Sequence, residues 1–412
     1  MFGFPRAVWL LGFVSLATDS ATEAIYPLLP FFLTRVLGAG ALSLGIVEGA
    51  AEAVNSILKI WSGRAADRSP RKRPLVLAGY SISSVARPFI ALATGWVQVF
   101  IVRVLDRVGK GIRSAPRDAM LALWATSANR GKVFGFHRAM DHAGAIVGPA
   151  LASLFLLFYP DHYRTLFALT IVPGAIAVVL IFFVREPETV RAPDVGRFLV
   201  DPASAPSVGR VLVDPATDTV RVKPDVMSGL PREFRAFMIV LTIFTLGNST
   251  DAFLLLKLTD AAGSAKFVPL FWAGLHVVKA TVSVFGGSWS DRVGRRSVIA
   301  LGWIIYAVVY AGFAVSTSLV ALVTWFFIYG FYFGFAEGTE KALVADLAPP
   351  ERRGVAFGIF NAVQGLGALA ASVMFGAIWK AYGVAAAFGA GAALAAAATA
   401  GLFLAVPRRP GH

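Results

Sequence analysis

The residues best placed to do chemistry form a charged stripe in an otherwise apolar stretch. Arg103, Asp106, Lys110, Arg113 and Arg117 follow one another at intervals of three and four residues, so in a helix they share one face. Arginine is suited to hold a carboxylate or a phosphate through two parallel hydrogen bonds. A net positive stripe in a low-dielectric environment must be matched by acidic side chains or by a bound anion. The pattern indicates either contact with a solute or a structural network of ion pairs.

Carboxylates in other apolar stretches are candidates for moving protons. A buried carboxylate that alternates between a cationic partner and its protonated form is a natural proton carrier. Asp19 and Glu23 rank first, because they lie one turn apart on one helix face. The alternative for each candidate is a permanent salt bridge. The full proton-coupling set is Asp19, Glu23, Asp106, Asp141 and Glu337.

Polar residues in four apolar stretches are candidates for contact with a solute. Glu52 lies on a polar face with Glu48 and Asn55. His276 and Lys279 occupy the positions that match Glu52 and Asn55 in a second, similar stretch. Histidines titrate near neutrality, although a membrane histidine is more often a structural residue. The predicted substrate-contact set is Arg103, Lys110, Arg113, Glu52, His137, Arg138, His276 and Lys279.

These residues must be positioned by apolar segments of roughly 20 residues, the length of helix that crosses about 30 Å of hydrocarbon. The chain has 412 residues, 57% of them hydrophobic, and its mean hydropathy is +0.69, so a membrane protein is predicted. Twelve spans are predicted, at residues 8–33, 42–62, 75–93, 96–122, 132–157, 165–185, 235–258, 267–289, 297–316, 319–346, 354–380 and 383–406.

The chain is an internal duplication. The motif GRAADR at residue 63 is followed by GSWSDR at residue 287, and RGKVFG at residue 130 is followed by RGVAFG at residue 353. Two unrelated motifs thus recur in the same order at nearly the same offset. We predict an all-α membrane protein made of two six-helix bundles, residues 1–185 and 235–412, joined by a cytoplasmic loop of residues 186–234. That loop holds a shorter repeat at residues 196–217, which we interpret as a linker.

The distribution of charge indicates a membrane protein and not a protein that binds nucleic acid. The net charge is +14, but the basic residues gather in alternate loops, as the positive-inside rule requires. This pattern predicts a prokaryotic inner-membrane protein with both termini in the cytoplasm and basic loops against anionic lipids. The sequence has no cysteine, no nucleotide-binding P-loop and no hydrolase motif. We therefore expect neither an enzyme nor a resident metal or other cofactor.

The two G-x-x-x-D-R loops, each set after the second helix of its half, resemble the major facilitator superfamily. The runs from Asp19 to Pro30 and from Asp106 to Asp118 are similar to a largely uncharacterised prokaryotic branch of that family, often labelled as efflux proteins. The resemblance implies transport by alternating access, usually by a monomer. In predicted helix 5, the glycines and proline resemble the core of an antiporter motif, which favours export. The predicted gating set is Asp67, Arg68, Arg117, Asp118, Gly144, Gly148, Pro149, Asp291, Arg292 and Arg295.

The leading hypothesis is proton-coupled export of a small anionic or zwitterionic organic solute. A second hypothesis is proton-coupled efflux of hydrophobic or cationic drugs, with the acidic residues of predicted helices 1 and 2 facing the drug. A third is transport of a divalent metal cation through Asp19, Glu23 and a histidine. The fourth is a membrane scaffold without transport, which gives no reason for so many charges at mid-membrane.

Overall fold

The computed structural model describes residues 4–69, 71–124, 130–186, 230–349 and 352–405. This part of the chain forms twelve helical segments and no strands, which confirms the predicted all-α, twelve-helix architecture. Most predicted ends agree with the structure to within a few residues. The segments are α1 (Arg6–Ile25, continued by short helical turns through Val36), α2 (Ala41–Arg68), α3 (Arg73–Leu92), α4 (Trp96–Leu123), α5 (Arg130–Phe158), α6 (Tyr163–Leu169 and Ile171–Phe182), α7 (Arg232–Gly247 and Ala252–Ala262), α8 (Val268–Val293), α9 (Arg295–Val315), α10 (Leu319–Leu347), α11 (Arg353–Tyr382) and α12 (Val384–Ala405).

Nine helices in the described ranges are long and apolar enough to cross a membrane. The α4 helix is not among them, since its charged stripe lowers its hydropathy. A charged helix is tolerated at membrane depth only where its polar face is turned to other protein segments or to a water-filled cavity. The most charged helix must therefore lie inside the bundle.

The helices pack as two six-helix groups that meet along two seams. In the first half, α1 packs on α5 and α6, and α4 packs on α2 and α3. In the second half, α8 packs on α10, α9 packs on α10 and α12, and α7 packs on α12. The two halves meet mainly where α2 lies along α11 and where α5 lies along α8. These two pairs of helices form the main contact between the halves.

Glycines permit the closest helix approaches. A Cβ atom on Gly148 of α5 would lie 2.2 Å from the carbonyl oxygen of Ser20 in α1, and one on Gly144 would lie 2.6 Å from that of Leu16. Across the seam between the halves, a Cβ on Gly45 would lie 2.2 Å from the carbonyl oxygen of Ser372. These distances leave no room for a side chain, so these helices touch backbone to backbone.

Two helices are interrupted near the middle of the bundle. In α1, Pro27 lies in a 3₁₀ turn at Tyr26–Leu28, and Pro30 lies just before a π-type turn at Phe32–Val36. In α7, the helix ends at Gly247 and resumes at Ala252. Irregular backbone at membrane depth is tolerated where it is buried in protein or lines a cavity. Both interruptions supply residues to the cavity described below.

The bundle is closed between the halves at one end. Because successive helices run in opposite directions and there are twelve, the start of α1 and the end of α12 lie at one end of the bundle. We call this the terminal end and the other the distal end. At the distal end, Arg35 pairs with Asp260 at 2.6 Å, and the Ser153 hydroxyl donates to the carbonyl oxygen of Lys266 at 2.9 Å. Both contacts join the two halves. Towards the terminal end, Lys59 of α2 and Glu337 of α10 are exposed.

The second half has an aromatic core. Phe244 of α7 stacks on Trp303 of α9 with ring centroids 4.4 Å apart, and Tyr306 stacks on Tyr310 at 4.2 Å. Tyr332 of α10 packs against Tyr306 at 5.0 Å. Tyr332 of this cluster also lines the cavity described below. The predicted linker repeat at residues 196–217 lies outside the described residues, and the domain boundaries at 185 and 235 stay predictions.

Candidate functional site

A polar cavity of about 470 Å³ lies between the halves. Its walls come from α1, α2 and α4 on one side and from α7, α8, α10 and α11 on the other. This size suits a small organic molecule. The charged residues that line it are Glu23, Glu48, Glu52, Lys59, Arg107, Asp251, Lys279, Glu337, Glu340 and Lys341.

The structure brings together only part of the sequence-predicted site. Two proton-coupling candidates, Glu23 and Glu337, line the cavity, as do three substrate-contact candidates, Glu52, His276 and Lys279. The other candidates lie outside the residues that form its wall. They are Asp19, Asp106, Asp141, Arg103, Lys110, Arg113, His137 and Arg138.

One cavity wall is a junction between α1 and α8. The indole nitrogen of Trp272 donates a hydrogen bond of 2.8 Å to the carboxylate of Glu23. Tyr26 packs against the same indole with ring centroids 5.0 Å apart, and its hydroxyl lies 3.2 Å from that of Thr250. The Glu23 carboxylate, from the first half, is therefore held by a neutral donor from the second.

Lys279 sits in an aromatic and acidic corner of the second half. Its ammonium nitrogen lies 3.5 Å from a carboxylate oxygen of Asp251 and 3.5 Å from the ring centroid of Phe333. The hydroxyl of Tyr329 donates to the other oxygen of Asp251 at 2.7 Å. Asp251 is thus compensated by a cation and a phenol, and the Lys279 charge is shared between a carboxylate and an aromatic face.

His276 is placed without a polar partner. Both of its ring nitrogens are buried and make no hydrogen bond within the described part of the chain. Its ring lies 5.0 Å from that of Trp272 and 6.4 Å from that of His142, across the seam between the halves. No group of three or more metal-ligating side chains occurs among the described residues.

The first two residues of the α4 stripe, Arg103 and Asp106, belong to a buried ion-pair network. Arg103 donates twice to Glu48, from Nε at 2.9 Å and from Nη2 at 2.6 Å. Asp106 accepts from Arg87 at 3.0 Å and lies 3.7 Å from Arg103. This geometry favours the ion-pair alternative for Arg103 and Asp106 in the conformation described here.

Arg113 and Arg117, further along the stripe, contact neighbouring helices. Arg113 donates to the Ser83 hydroxyl at 2.6 Å, and its guanidinium lies 4.4 Å from the centroid of the Tyr80 ring. Arg117 pairs with Asp118 at 3.0 Å and reaches the Ser15 hydroxyl at 3.4 Å. These contacts tie α4 to α3 and to α1.

The α5 candidates lie between α1 and the second half. His137 Nδ1 is 3.6 Å from Asp141, whose carboxylate also accepts from Ser15. Arg138 reaches Glu337 of α10 at 3.5 Å, and both side chains are at least half exposed. Asp19 of α1 faces Gly144 of α5, whose Cβ position would be 3.0 Å from that of Asp19. His137 and Asp141 therefore belong to the α1–α5 contact.

The loop residues of the gating set are only partly described. The side chains of Asp67, Arg68 and Asp291 lie outside the described residues. Arg292 is exposed, and Arg295 contacts Asp346 of α10 at 3.3 Å and the Ser290 hydroxyl at 2.7 Å. The contact with Asp346 joins the loop after α8 to the end of α10. A gating role for the whole set stays a prediction.

Sequence reasoning missed three features of the cavity. It did not place Trp272 or Arg107 in the site, and it treated α7 as an unbroken span. The α7 break has a local signal, because Asn248, Ser249 and Thr250 offer side-chain hydrogen bonds that compete with a helix. Trp272 and Arg107 have no such signal, since their positions depend on how the helices rotate against each other.

Two half-bundles with a central polar cavity between them are the architecture of a membrane transporter. A model of the Major Facilitator Superfamily matches residues 8–278 and 237–412, so the chain belongs to that family. This confirms the resemblance read from the duplicated loops.

Relatives and solved structures agree with that assignment. An uncharacterized MFS-type transporter of Methanocaldococcus jannaschii is 33% identical over 381 residues, which is 91% of this chain and 89% of the relative. An uncharacterized protein of Mycobacterium tuberculosis is 29% identical over 370 residues, 89% of this chain and 84% of that one. The crystal structure of the nucleoside transporter NupG superposes with a TM-score of 0.76 at 13% identity, covering 98% of this chain and 100% of that one. At that identity the likeness concerns the fold alone.

Proposed function

We propose that this protein is a secondary active transporter that exports a small organic solute in exchange for protons by alternating access. The observation that carries the proposal is the central polar cavity, whose wall comes from both halves and which is closed between them at the distal end. The lining has four cationic side chains that can compensate an anionic group and six carboxylates that can compensate a cationic one, which suits a zwitterionic solute. Rocking of the halves about this site would open the distal end.

The proposed orientation of the protein in the membrane rests on the distribution of basic residues over its loops. Basic loops at the terminal end favour a cytoplasmic location for both termini, in a prokaryotic inner membrane. The cavity would then load from the cytoplasm, and exposed residues such as Arg292 would face anionic lipid headgroups. The glycine and proline residues of α5, which resemble an antiporter motif, favour export by a monomer.

Lipophilic cations are the second candidate class of solute. The rings of Trp272 and Phe333 and the carboxylates of Glu23 and Glu52 line the same cavity. Aromatic faces and carboxylates together attract organic cations. The six carboxylates of the lining outnumber its four cationic side chains, and this excess favours such cations.

Replacing Glu23 with glutamine tests the proton coupling. This carboxylate receives its only described hydrogen bond from Trp272, a neutral donor of the opposite half. A carboxylate held in this way can exchange between a proton and a partner as the halves separate. We expect Glu23→Gln to keep solute exchange in liposomes but to lose accumulation driven by a pH gradient. A trapped pH dye measures the proton movement, and Glu233→Gln, at the start of α7, is the control. Full proton-driven accumulation in Glu23→Gln would remove this residue from the coupling mechanism.

Breaking the distal ion pair should shift the resting equilibrium modestly. The side chains of Arg35 and Asp260 are 58% and 36% exposed, so their pair contributes roughly 0.2–1 kcal/mol to closure. We expect Asp260→Asn to increase the distal-open population about 1.5- to 5-fold. The chain has no cysteine, so spin labels on Thr94→Cys and Ser264→Cys measure the distal distance between the halves. Asp161→Asn, an exposed distal carboxylate outside this pair, is the control, and an equal shift in both variants would exclude the pair as a latch.

A further inference from the structure

A group of buried charges beside the cavity is unbalanced. Three guanidinium groups, those of Arg87, Arg103 and Arg107, share two carboxylates, Glu48 and Asp106. All five residues are under 9% exposed. Arg103 takes Glu48 in a bidentate pair, and Arg87 holds Asp106 at 3.0 Å. Within this group one positive charge is left over. Arg107 is the member whose guanidinium is hydrogen-bonded to neither carboxylate.

Arg107 carries unused donors and lines the cavity. Its nearest described carboxylate is Asp106, whose oxygen is 3.9 Å from Nη1, too far for a hydrogen bond. Its Nε and Nη1 atoms are buried and have no hydrogen-bond partner among the described residues. A buried guanidinium without a partner is costly unless an anion compensates it. Because Arg107 lines the cavity, that anion can come from a solute.

The second half holds a carboxylate whose charge is opposite to that of Arg107. Glu340 of α10 is 3% exposed and also lines the cavity. It accepts from the Trp303 indole at 2.8 Å and from the Gln364 amide at 3.2 Å, and both donors are neutral. No ion pair of Glu340 occurs among the described side chains. Glu340 thus offers a buried carboxylate to a cation.

We infer that the cavity binds a zwitterion, with its anionic group on Arg107 and its cationic group on Glu340. The inference rests on the proposed transport function and names its class of solute. The two groups belong to different halves, so the solute carries its charges at opposite ends and ligates both halves at once. The rings of Trp272 and Phe333, which line the same cavity, suit an apolar middle. A molecule with only one charge leaves one of the two buried groups uncompensated.

Three compounds of matched shape test the inference by their effect on the melting temperature of the purified protein. They are 4-(aminomethyl)benzoate, which carries both charges, 4-methylbenzoate, which carries only the anion, and 4-methylbenzylammonium, which carries only the cation. The zwitterion is expected to raise the melting temperature most. Arg107→Gln is expected to weaken binding of the zwitterion about 10- to 100-fold while sparing the cation, and Glu340→Gln is expected to weaken it similarly while sparing the anion. No shift with any compound, a larger shift with a singly charged compound, or zwitterion binding unchanged in both variants would each overturn the inference.

The unliganded variants provide a second test that needs no solute. Arg107→Gln removes the surplus charge, so its melting temperature is expected to equal or exceed that of the unmodified protein. Arg87→Gln removes the short partner of Asp106, so its melting temperature is expected to fall. A fall of equal size in both variants would show that Arg107 is a necessary member of the network and would overturn the surplus-charge argument.

Flux in liposomes separates this inference from the transport proposal. Binding with the expected charge pattern but no flux of the zwitterion would contradict transport and leave the binding site intact. Flux of the zwitterion that is unchanged in Arg107→Gln and in Glu340→Gln would contradict the assigned contacts and leave the transport proposal intact.

Discussion

Replacing Gly45 with valine is expected to drive the protein towards a state that is open at the distal end. A Cβ at this position would lie 2.2 Å from the carbonyl oxygen of Ser372 and 2.9 Å from its carbonyl carbon. These are backbone atoms of the opposite half, so no side-chain rotation relieves the overlap. Overpacking of this kind costs about 1–3 kcal/mol or more, which corresponds to a population shift of about 5- to 150-fold. Spin labels on Thr94→Cys and Ser264→Cys should report a longer distal distance.

Two other glycines serve as controls for the Gly45 variant. A Cβ on Gly148 meets the Ser20 backbone at the same 2.2 Å, but within the first half, where movement of the halves gives no relief. Gly148→Val should therefore lower the melting temperature and leave the distal distance unchanged. A Cβ on Gly40 meets nothing within 4 Å, so Gly40→Val should do neither. If Gly45→Val lowers the melting temperature as Gly148→Val does, with no change in distance, the α2–α11 contact is structural and not a moving seam.

Replacing Asp106 with asparagine is expected to cause a large loss of stability. The carboxylate lies within 4 Å of three guanidinium groups, at 3.0, 3.7 and 3.9 Å. Removing it leaves Glu48 as the single described carboxylate of the network. Breaking a buried ion pair from one side costs about 3–5 kcal/mol, because the remaining charge is buried without compensation. The melting temperature in detergent measures this loss.

Asp118→Asn is the matched control for the Asp106 variant. It also removes a carboxylate from α4, but this side chain is 52% exposed and pairs with a neighbouring arginine. An exposed pair contributes at most about 1 kcal/mol. Equal melting temperatures for the two variants would mean that water reaches Asp106 and solvates the network.

The sequence predicts the twelve helices because the signals for them are local. Apolar runs of membrane length and the duplicated loops place most helix ends to within a few residues. The spacing along α4 predicts correctly that its charges share a face, but not what that face meets. Arg103 and Arg107 are four residues apart, yet the first is tied to Glu48 and the second reaches the cavity with unused donors. That difference depends on the rotation of α4 against α2 and α3, which is set by contacts distant in the chain.

The same limit applies to the cross-half contacts. The pairing of Glu23 with Trp272 joins residues that are 249 positions apart. Each residue is unremarkable in its own helix, because a glutamate or a tryptophan in an apolar span has many structural roles. The duplication predicts that the halves face each other, but it does not determine which side chains meet across the seam.

The unequal construction of the two halves bears on how such proteins diverge. After a gene duplication both copies are free to change. Here the first half holds buried charges that compensate one another. The second half supplies most of the residues that line the cavity. A substitution in the network is costly, because it leaves a neighbouring buried charge without its partner. An exchange of a neutral lining residue such as Asn361 or Ala368 removes no ion pair. New solute preferences should therefore evolve chiefly by change in the second half, with the first half kept as the inherited frame.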